Sequence, residues 1–129
     1  MPAPAEPIFS AAAYVAAHTA FRDLIDGGSG AGSIRLYNAA DTLLATVVLT
    51  DPCGTVNGTT GQLTLTSAGE VTAVASGTAA YGAVCDGDGV AHWSLPCVAG
   101  AVAVSNRIVI NSLSFVAGGT VNIAAAVLG

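Results

Sequence analysis

The side chains best suited to acid–base chemistry in this sequence are its two histidines, His18 and His92. Nucleophilic catalysis needs a base within hydrogen-bonding reach of the nucleophile and, in most enzymes, a third group that orients the base. His18 falls in a predicted helix and His92 in a predicted strand, and no GxSxG motif marks a nucleophile turn. We therefore expect no catalytic residue and predict that the protein is not an enzyme.

The acidic segment Asp86-Gly87-Asp88-Gly89 resembles the first part of a calcium-binding loop. A complete loop needs a third side-chain oxygen and a glutamate at its twelfth position, where Cys97 stands if Asp86 is the first. Aspartate and glycine between two alternating apolar runs are instead typical of a β-hairpin turn. We predict a hairpin here, and no bound metal or cofactor.

The chain has three cysteines, Cys53, Cys85 and Cys97, so at least one thiol stays unpaired within a single chain. Their spacing matches no metal-binding motif, because no two of them form a CxxC pair. The simpler interpretation is a protein made in a reducing compartment, and the N-terminal residues lack the basic and apolar segments of a secretory signal. A disulfide between Cys53 and Cys97 is the alternative.

The charged residues argue against nucleic acid and membrane partners. The formal net charge is −5, three arginines are the only basic residues besides the histidines, and no lysine is present. Affinity for phosphate backbones and for acidic lipid surfaces comes largely from cationic side chains. The run 108–129 is uncharged and long enough to span a bilayer, but its polar residues and alternating apolar residues favour two strands joined by a turn. We predict neither nucleic acid nor a membrane as a partner.

One helix is predicted, from about Ala11 to Asp26. Ser10 is a suitable N-cap, and Phe9 before it can pack on Tyr14 as a hydrophobic staple. The side chains that recur at helical spacing on one face are Tyr14, His18, Phe21 and Ile25. We expect this stripe to cover the sheet or to dock on a partner, and we expect His18 to be a packed residue rather than a ligand.

A glycine-rich joint, Gly27–Gly32, follows the predicted helix and precedes the first alternating strand. Glycine tolerates a positive φ, which suits the end of a helix. The sequence after the joint has the alternation and turn residues of eight or nine short strands at about ten-residue spacing. The predicted strands are 33–37, 43–50, 63–66, 71–75, 78–85, 90–95, 102–105, 108–111 and 120–127. We predict an all-β fold, an antiparallel β-sandwich of jelly-roll type with one N-terminal α-helix.

Residues 1–9 are predicted to form an extended arm, and residues 10–129 a single domain. The arm begins MPAPAEP, in which the prolines favour extended or polyproline II backbone. It is either a frayed end or a strap that lies on a neighbouring subunit. Trp93, the only tryptophan of the chain, is either a core residue or a residue that anchors a protein interface. Contacts with other proteins are predicted at Pro4, Pro7, Ile8, Phe9, Tyr14 and Trp93.

Four groups of segments stand out as an ordered set of glycine turns and strand edges. They are Asp26-Gly27-Gly28-Ser29-Gly30-Ala31-Gly32-Ser33-Ile34-Arg35-Leu36-Tyr37, then Leu43-Leu44-Ala45 leading to Leu49-Thr50-Asp51-Pro52, then Gly77-Thr78-Ala79, and finally Val116-Ala117-Gly118-Gly119-Thr120-Val121. In this order they resemble a family of small virion structural proteins of tailed bacteriophages, over most of residues 20–128. The Cys53-Gly54 loop departs from the family pattern, and the MPAPAEP arm is not a shared feature.

The resemblance implies a capsid decoration, or cement, protein that binds the outside of the phage head and has no catalytic residue. The predicted partners are the major capsid protein and further copies of the chain, as a dimer or trimer. The implied location is the exterior of the virion head, after synthesis in the bacterial cytoplasm. A neck, tail or fibre-base structural protein is the alternative within the virion. A carbohydrate-binding β-sandwich is the alternative from a different functional class. Such a protein stacks sugars on exposed aromatic rings, and this chain has three Tyr, three Phe and one Trp for that purpose.

Overall fold

The computed structural model describes residues 9–129. Pro4, Pro7 and Ile8 of the predicted arm lie outside the described residues. Within the described part, one helix is followed by eleven strands. The helix is α1 (Ala11–Asp26), and the strands are β1 (Ser33–Tyr37), β2 (Leu43–Val56), β3 (Leu63–Ser67), β4 (Val71–Thr72), β5 (Gly77–Thr78), β6 (Tyr81–Cys85), β7 (Ala91–Ala99), β8 (Arg107–Ile110), β9 (Ser114–Phe115), β10 (Thr120–Val121) and β11 (Ile123–Leu128).

Helix α1 begins and ends where the sequence predicts. The Ser10 hydroxyl oxygen accepts a hydrogen bond from the Ala13 amide at 3.2 Å. The Phe9 ring packs edge-on against Tyr14, with the ring centroids 5.6 Å apart. The predicted N-cap and hydrophobic staple are therefore both confirmed, and together they fix the start of the helix.

The glycine-rich joint links helix and sheet as predicted, but for a different physical reason. Gly27 has φ −81°, and none of the joint's glycines has a positive φ. They are needed because main chain packs directly on main chain. A Cβ on Gly28 would lie 2.5 Å from the Gly87 Cα, and a Cβ on Gly32 would lie 2.8 Å from the Cys85 carbonyl oxygen. The joint can therefore lie against β6 and the turn that follows it.

Seven of the strands close into a barrel in the order β1-β2-β3-β11-β8-β7-β6. Neighbouring strands are antiparallel except β7 and β8, which are parallel. The predicted mainly-β class with one N-terminal helix is confirmed. The wholly antiparallel pairing that was predicted is wrong for β7 and β8, and the strands form a closed ring rather than two clearly separate sheets.

The parallel pair explains one error in the predicted strands. β8 lies beside only the last three residues of β7, Cys97 to Ala99. The connection 100–106 therefore returns along a short distance, and no crossover helix is needed. The sequence predicts a strand at 102–105, but the structure has a loop there with Val102 and Val104 exposed. The apolar residues of this segment alternate as in a strand, but the segment pairs with no other strand and buries neither valine.

The barrel is filled by aliphatic side chains that belong to one core cluster. Ile25 of α1 is fully buried and joins this cluster. Gly82 of β6 makes room for its neighbours, since a Cβ there would lie 2.9 Å from the Ile34 side chain. The largest fully buried side chains of the strands include Ile34, Leu36, Leu44, Leu49, Leu63 and Ile108.

The two ends of the barrel differ. Helix α1 lies across one of them, which we call the helix end. There the Asp26 carboxylate accepts a hydrogen bond from the Cys53 amide of β2 at 2.8 Å, and the His18 ring lies against Gly61 and Gly129. At the other end, which we call the far end, β4 pairs with β10 and β5 pairs with β9 as separate two-stranded ladders.

Candidate interaction surface

Five ring side chains lie in contact at the helix end and form what we call the aromatic ladder. They are, in order, Phe9, Tyr14, His18, Phe21 and Trp93, and successive ring centroids are 5.6, 5.3, 5.9 and 5.5 Å apart. These distances lie in the range of favourable ring contacts, for which a pair contributes about 0.5–1.5 kcal/mol beyond its buried area. The ladder is therefore a continuous set of contacts rather than a scatter of exposed rings.

Local sequence spacing creates most of the ladder. Tyr14, His18 and Phe21 are separated by four and three residues, which places them on one face of α1. Phe9 joins them through the hydrophobic staple at the start of the helix. Trp93 comes from β7 and reaches the ladder through its contact with Phe21. The last contact is thus the one that depends on the tertiary fold.

The ladder is buried at His18 and exposed at Phe9 and Phe21, and Trp93 at its other end is half-buried. His18 is 4% exposed, whereas Phe9 is 58% and Phe21 is 39% exposed. Small residues between the rings leave an apolar groove of about 210 Å³, which we call the aromatic groove. It is lined by Phe9, Ala13, Tyr14, Ala17, His18 and Phe21. Exposed aromatic rings of this kind are enriched in protein contact surfaces.

His18 attaches the ladder to the barrel. Its Nδ1 lies 2.5 Å from the Gly61 carbonyl oxygen, and because a carbonyl only accepts, Nδ1 carries the hydrogen. Gly61 has φ +78°, and a Cβ there would lie 2.9 Å from the Val15 amide nitrogen. Glycine suits this position both for its backbone conformation and for the close approach of the helix. The prediction that His18 is a packed histidine is confirmed.

Trp93 lies at the border between the core and the surface. It is half-buried and packs against the core cluster, and its ring contacts Phe21. Its Nε1 is buried and has no hydrogen-bond partner among the residues that the structure describes. An unpaired buried N–H costs stability, so packing must hold the ring in place. Its role as an interface anchor stays a prediction.

The predicted hairpin between β6 and β7 is confirmed, and its acidic residues hold the turn. The Asp86 carboxylate accepts hydrogen bonds from the Asp88 and Val90 amides at 2.9 and 3.0 Å, and it pairs with His92 Nε2 at 2.9 Å. The hydrogen bond from His92, followed by that from Val90, holds the pKa of Asp86 below its ordinary value. The Asp88 carboxylate accepts a hydrogen bond from the Ser29 hydroxyl at 2.7 Å, which ties the hairpin to the glycine joint. Across residues 9–129, no three potential metal-binding side chains come together.

All three cysteines are buried free thiols, so the alternative Cys53–Cys97 disulfide is not formed. Burial raises the pKa of Cys53 to about 12, and the Asp26 carboxylate adds to this shift. Burial alone raises the pKa of Cys97 to about 11. Thiols with such pKa values are almost wholly protonated at neutral pH and are therefore poor nucleophiles.

The far end of the barrel carries a second concave surface of about 410 Å³, which we call the polar cleft. Its floor is apolar, because Ile110, Phe115 and Val121 are buried there. Its rim carries the exposed polar side chains of Glu70, Asn111, Ser112, Ser114, Thr120 and Asn122. The sequence does not reveal this cleft, because the ends of separate short strands come together only in the fold.

The structure brings the described members of the predicted contact set together. Phe9, Tyr14 and Trp93 all belong to the aromatic ladder. Phe21 is missing from that predicted set, although its helical spacing was visible. What places Phe21 in this surface is its contact with Trp93. That contact joins residues far apart in the sequence, so the spacing of residues along the helix does not reveal it.

Among the residues that the structure describes, no helix combines the length and the apolar character needed to cross a lipid bilayer. Comparison of the chain with protein-family models, with curated proteins and with solved structures finds no match.

Proposed function

We propose that this protein is a bacteriophage capsid decoration protein, which binds the outside of the head shell and stabilises it without catalysing a reaction. The observation that carries the proposal is the aromatic ladder. The chain has three Phe, three Tyr and one Trp, and four of these seven rings lie in this one surface. Aromatic side chains concentrated and partly exposed on one side of a small protein support a binding role.

The loop before β8 carries two further exposed apolar side chains, Val102 and Val104. The same loop is tied to the helix end, because the Asn106 side-chain oxygen accepts a hydrogen bond from the Gly129 amide at 2.7 Å and Gly129 lies against His18. Such a surface suits a shell of many identical subunits, since copies that contact both the shell and one another gain avidity from individually weak contacts.

The acid–base groups support a non-enzymatic role, because the fold itself uses them. His18 is buried and donates to a main-chain carbonyl. His92 pairs with Asp86, whose carboxylate also holds the hairpin turn. The raised pKa of Cys53 disfavours a thiolate nucleophile.

The virion location rests on the resemblance of the glycine joint and the later turns to phage structural proteins. The charge of the chain suits a position outside the shell. A net charge of −5 without any lysine disfavours contact with the packaged DNA. The major capsid protein and further copies of this chain are therefore the proposed partners.

We also propose that the barrel is flattened in the manner of a jelly roll. The first half of β2 pairs with β1 and its second half with β3, across an irregularity between Leu49 and Gly54. In the same way, β7 pairs first with β6 and then with β8. Strands that change partners along their length act as corners between two packed sheets. A sandwich-like cross-section is therefore compatible with the closed strand order.

Immunogold labelling of intact virions with an antibody against this protein tests the proposed function. We expect gold particles spread over the head, and virions from a deletion strain as the unlabelled control. Gold at one vertex or along the tail would favour the neck, tail or fibre-base alternative. Absence of gold from virions that are known to contain the other structural proteins would contradict a virion role.

The polar cleft favours a second candidate function, carbohydrate binding. Its rim combines one carboxylate, from Glu70, with side-chain amides and hydroxyls over an apolar floor. Sugars are recognised by such polar groups together with an apolar surface. A glycan array with the purified protein tests this candidate. Concentration-dependent binding that is lost in Asn122→Ala would support it, and an array without hits would count against it.

A further inference from the structure

The aromatic groove has the chemistry of a surface that binds a short proline-rich segment. Its walls are the Phe9 and Phe21 rings, and Ala13 and Ala17 keep the space between them open. Proline-rich segments in the polyproline II conformation dock in grooves lined by aromatic rings, because the stiff segment loses little entropy on binding. A proline-rich segment is therefore a ligand that suits this lining.

The chain itself contains such a segment. Residues 1–8 read Met-Pro-Ala-Pro-Ala-Glu-Pro-Ile, and Pro4 and Pro7 are three residues apart. One turn of polyproline II has three residues and rises by about 9 Å. Tyr14 and Phe21 are seven residues apart in α1, which corresponds to about 10 Å along the helix axis. Two prolines on one face of the segment can therefore meet two rings of the groove, Tyr14 and Phe21.

We propose that the aromatic groove binds the proline-rich arm, residues 1–8, of a second copy of this chain. The described chain begins at Phe9, which itself lines the groove and is packed on Tyr14. Ser10 is extended, with φ −69° and ψ 161°. To fill its own groove, a chain would have to reverse direction around the packed Phe9 ring, whereas the arm of a second copy needs no reversal.

Reciprocal exchange closes the assembly. Each copy supplies one arm and one groove, so two copies related by a twofold axis satisfy each other and leave no unoccupied groove. The inference deepens the proposed function, since a decoration protein that contacts its neighbours on the shell needs a surface for self-association. It is tested without any virus particle, so its failure and a negative immunogold result are separate outcomes.

Sedimentation equilibrium of the full chain tests the proposal. We expect a dimer, and we expect Pro4→Ala/Pro7→Ala and Phe21→Ala each to raise the dissociation constant about tenfold or more, as for loss of an anchor residue. Val116→Ala is the matched control, because Val116 is exposed at the far end; its dissociation constant should be unchanged. Thermal unfolding of each variant, measured alongside, shows that the comparison is made between folded proteins.

A complementation experiment separates exchange from docking within one chain. One protein lacks residues 2–7 but keeps its groove, and the other carries Phe21→Ala but keeps its arm. Each alone should be mainly monomeric, and an equimolar mixture should form a heterodimer through one arm and one groove. A monomeric full chain at about 100 μM, an arm-deleted protein that dimerises as tightly as the full chain, or a mixture that fails to associate would overturn the proposal.

Discussion

His18 is one of the residues that attach α1 to the barrel. It is buried in the aromatic ladder, and its Nδ1 donates to the Gly61 carbonyl. His18→Phe would keep a ring in the ladder but leave that carbonyl unpaired. We expect this substitution to lower the free energy of unfolding by about 1–3 kcal/mol, the usual cost of a buried unpaired polar group, as measured by urea denaturation.

His18→Gln serves as the companion variant, because its side-chain amide can donate to the same carbonyl although the ring is lost. We expect it to retain part of the hydrogen-bond contribution. Full stability in His18→Phe would show that ring packing, and not the hydrogen bond, holds the helix at this end.

Cys53 gives the stability a pH dependence whose sign follows from its burial. Burial, followed by the Asp26 carboxylate, raises its pKa to about 12 from an ordinary value of 9.0. Above about pH 9 the unfolded chain loses this proton while the folded chain keeps it, so deprotonation favours unfolding. The contribution of this thiol is fully present below about pH 9 and is lost as the pH rises towards about 12.

The measurement is the urea midpoint of the wild type and of Cys53→Ala at about pH 8 and about pH 11. We expect the midpoint of the wild type to fall more steeply over this interval than that of the variant. The variant is the control for Cys85, Cys97 and Tyr81, which are present in both proteins. Parallel declines would rule out Cys53 as the source.

At the scale of elements, the glycine joint couples α1 to the β6–β7 hairpin. A Cβ on Gly28 would lie 2.5 Å from the Gly87 Cα and 2.7 Å from the Asp88 amide nitrogen. Both are main-chain atoms, which cannot rotate away as a side chain can. We expect Gly28→Ala to lower the free energy of unfolding by about 1–3 kcal/mol, the typical cost of overpacking, as measured by chemical denaturation.

Gly58→Ala is the matched control, because a Cβ on Gly58 would meet no atom within 4 Å. Its free energy of unfolding should stay within about 0.5 kcal/mol of the wild type. Equal stabilities of the two variants would mean that the joint moves off the hairpin without cost.

The elements also show which parts of the fold a sequence can predict. The bounds of α1 and the position of the β6–β7 hairpin follow from caps, periodicity and turn residues that lie within a few positions of one another. The closure of the barrel by β1 and β6 and the parallel pairing of β7 and β8 join distant segments, so they have no local signature. The candidate surface divides in the same way: the staple of Phe9 on Tyr14 was predictable, and the contact of Phe21 with Trp93 was not.

At the scale of the whole molecule, hydrogen bonding is distributed unevenly between the barrel and its far end. β1 is paired on both sides, with β2 and with β6, and its Ile34 and Leu36 side chains are fully buried. The two-residue strands β5 and β9 pair only with each other. Opening the small ladder breaks few hydrogen bonds, whereas freeing β1 requires the barrel itself to open.

Native-state hydrogen exchange measures this difference. We expect amides of Ser33–Tyr37 to exchange only through global unfolding, and hydrogen-bonded amides of β5 and β9 to exchange at least about a hundredfold faster. Because Ser114 and Phe115 of β9 line the polar cleft, fast local opening would allow that cleft to change shape around a ligand while the barrel strands stay paired. Equal protection of the β1 and β9 amides would contradict the prediction. It would mean that the polar cleft is as rigid as the core, so that a ligand would have to fit its present shape.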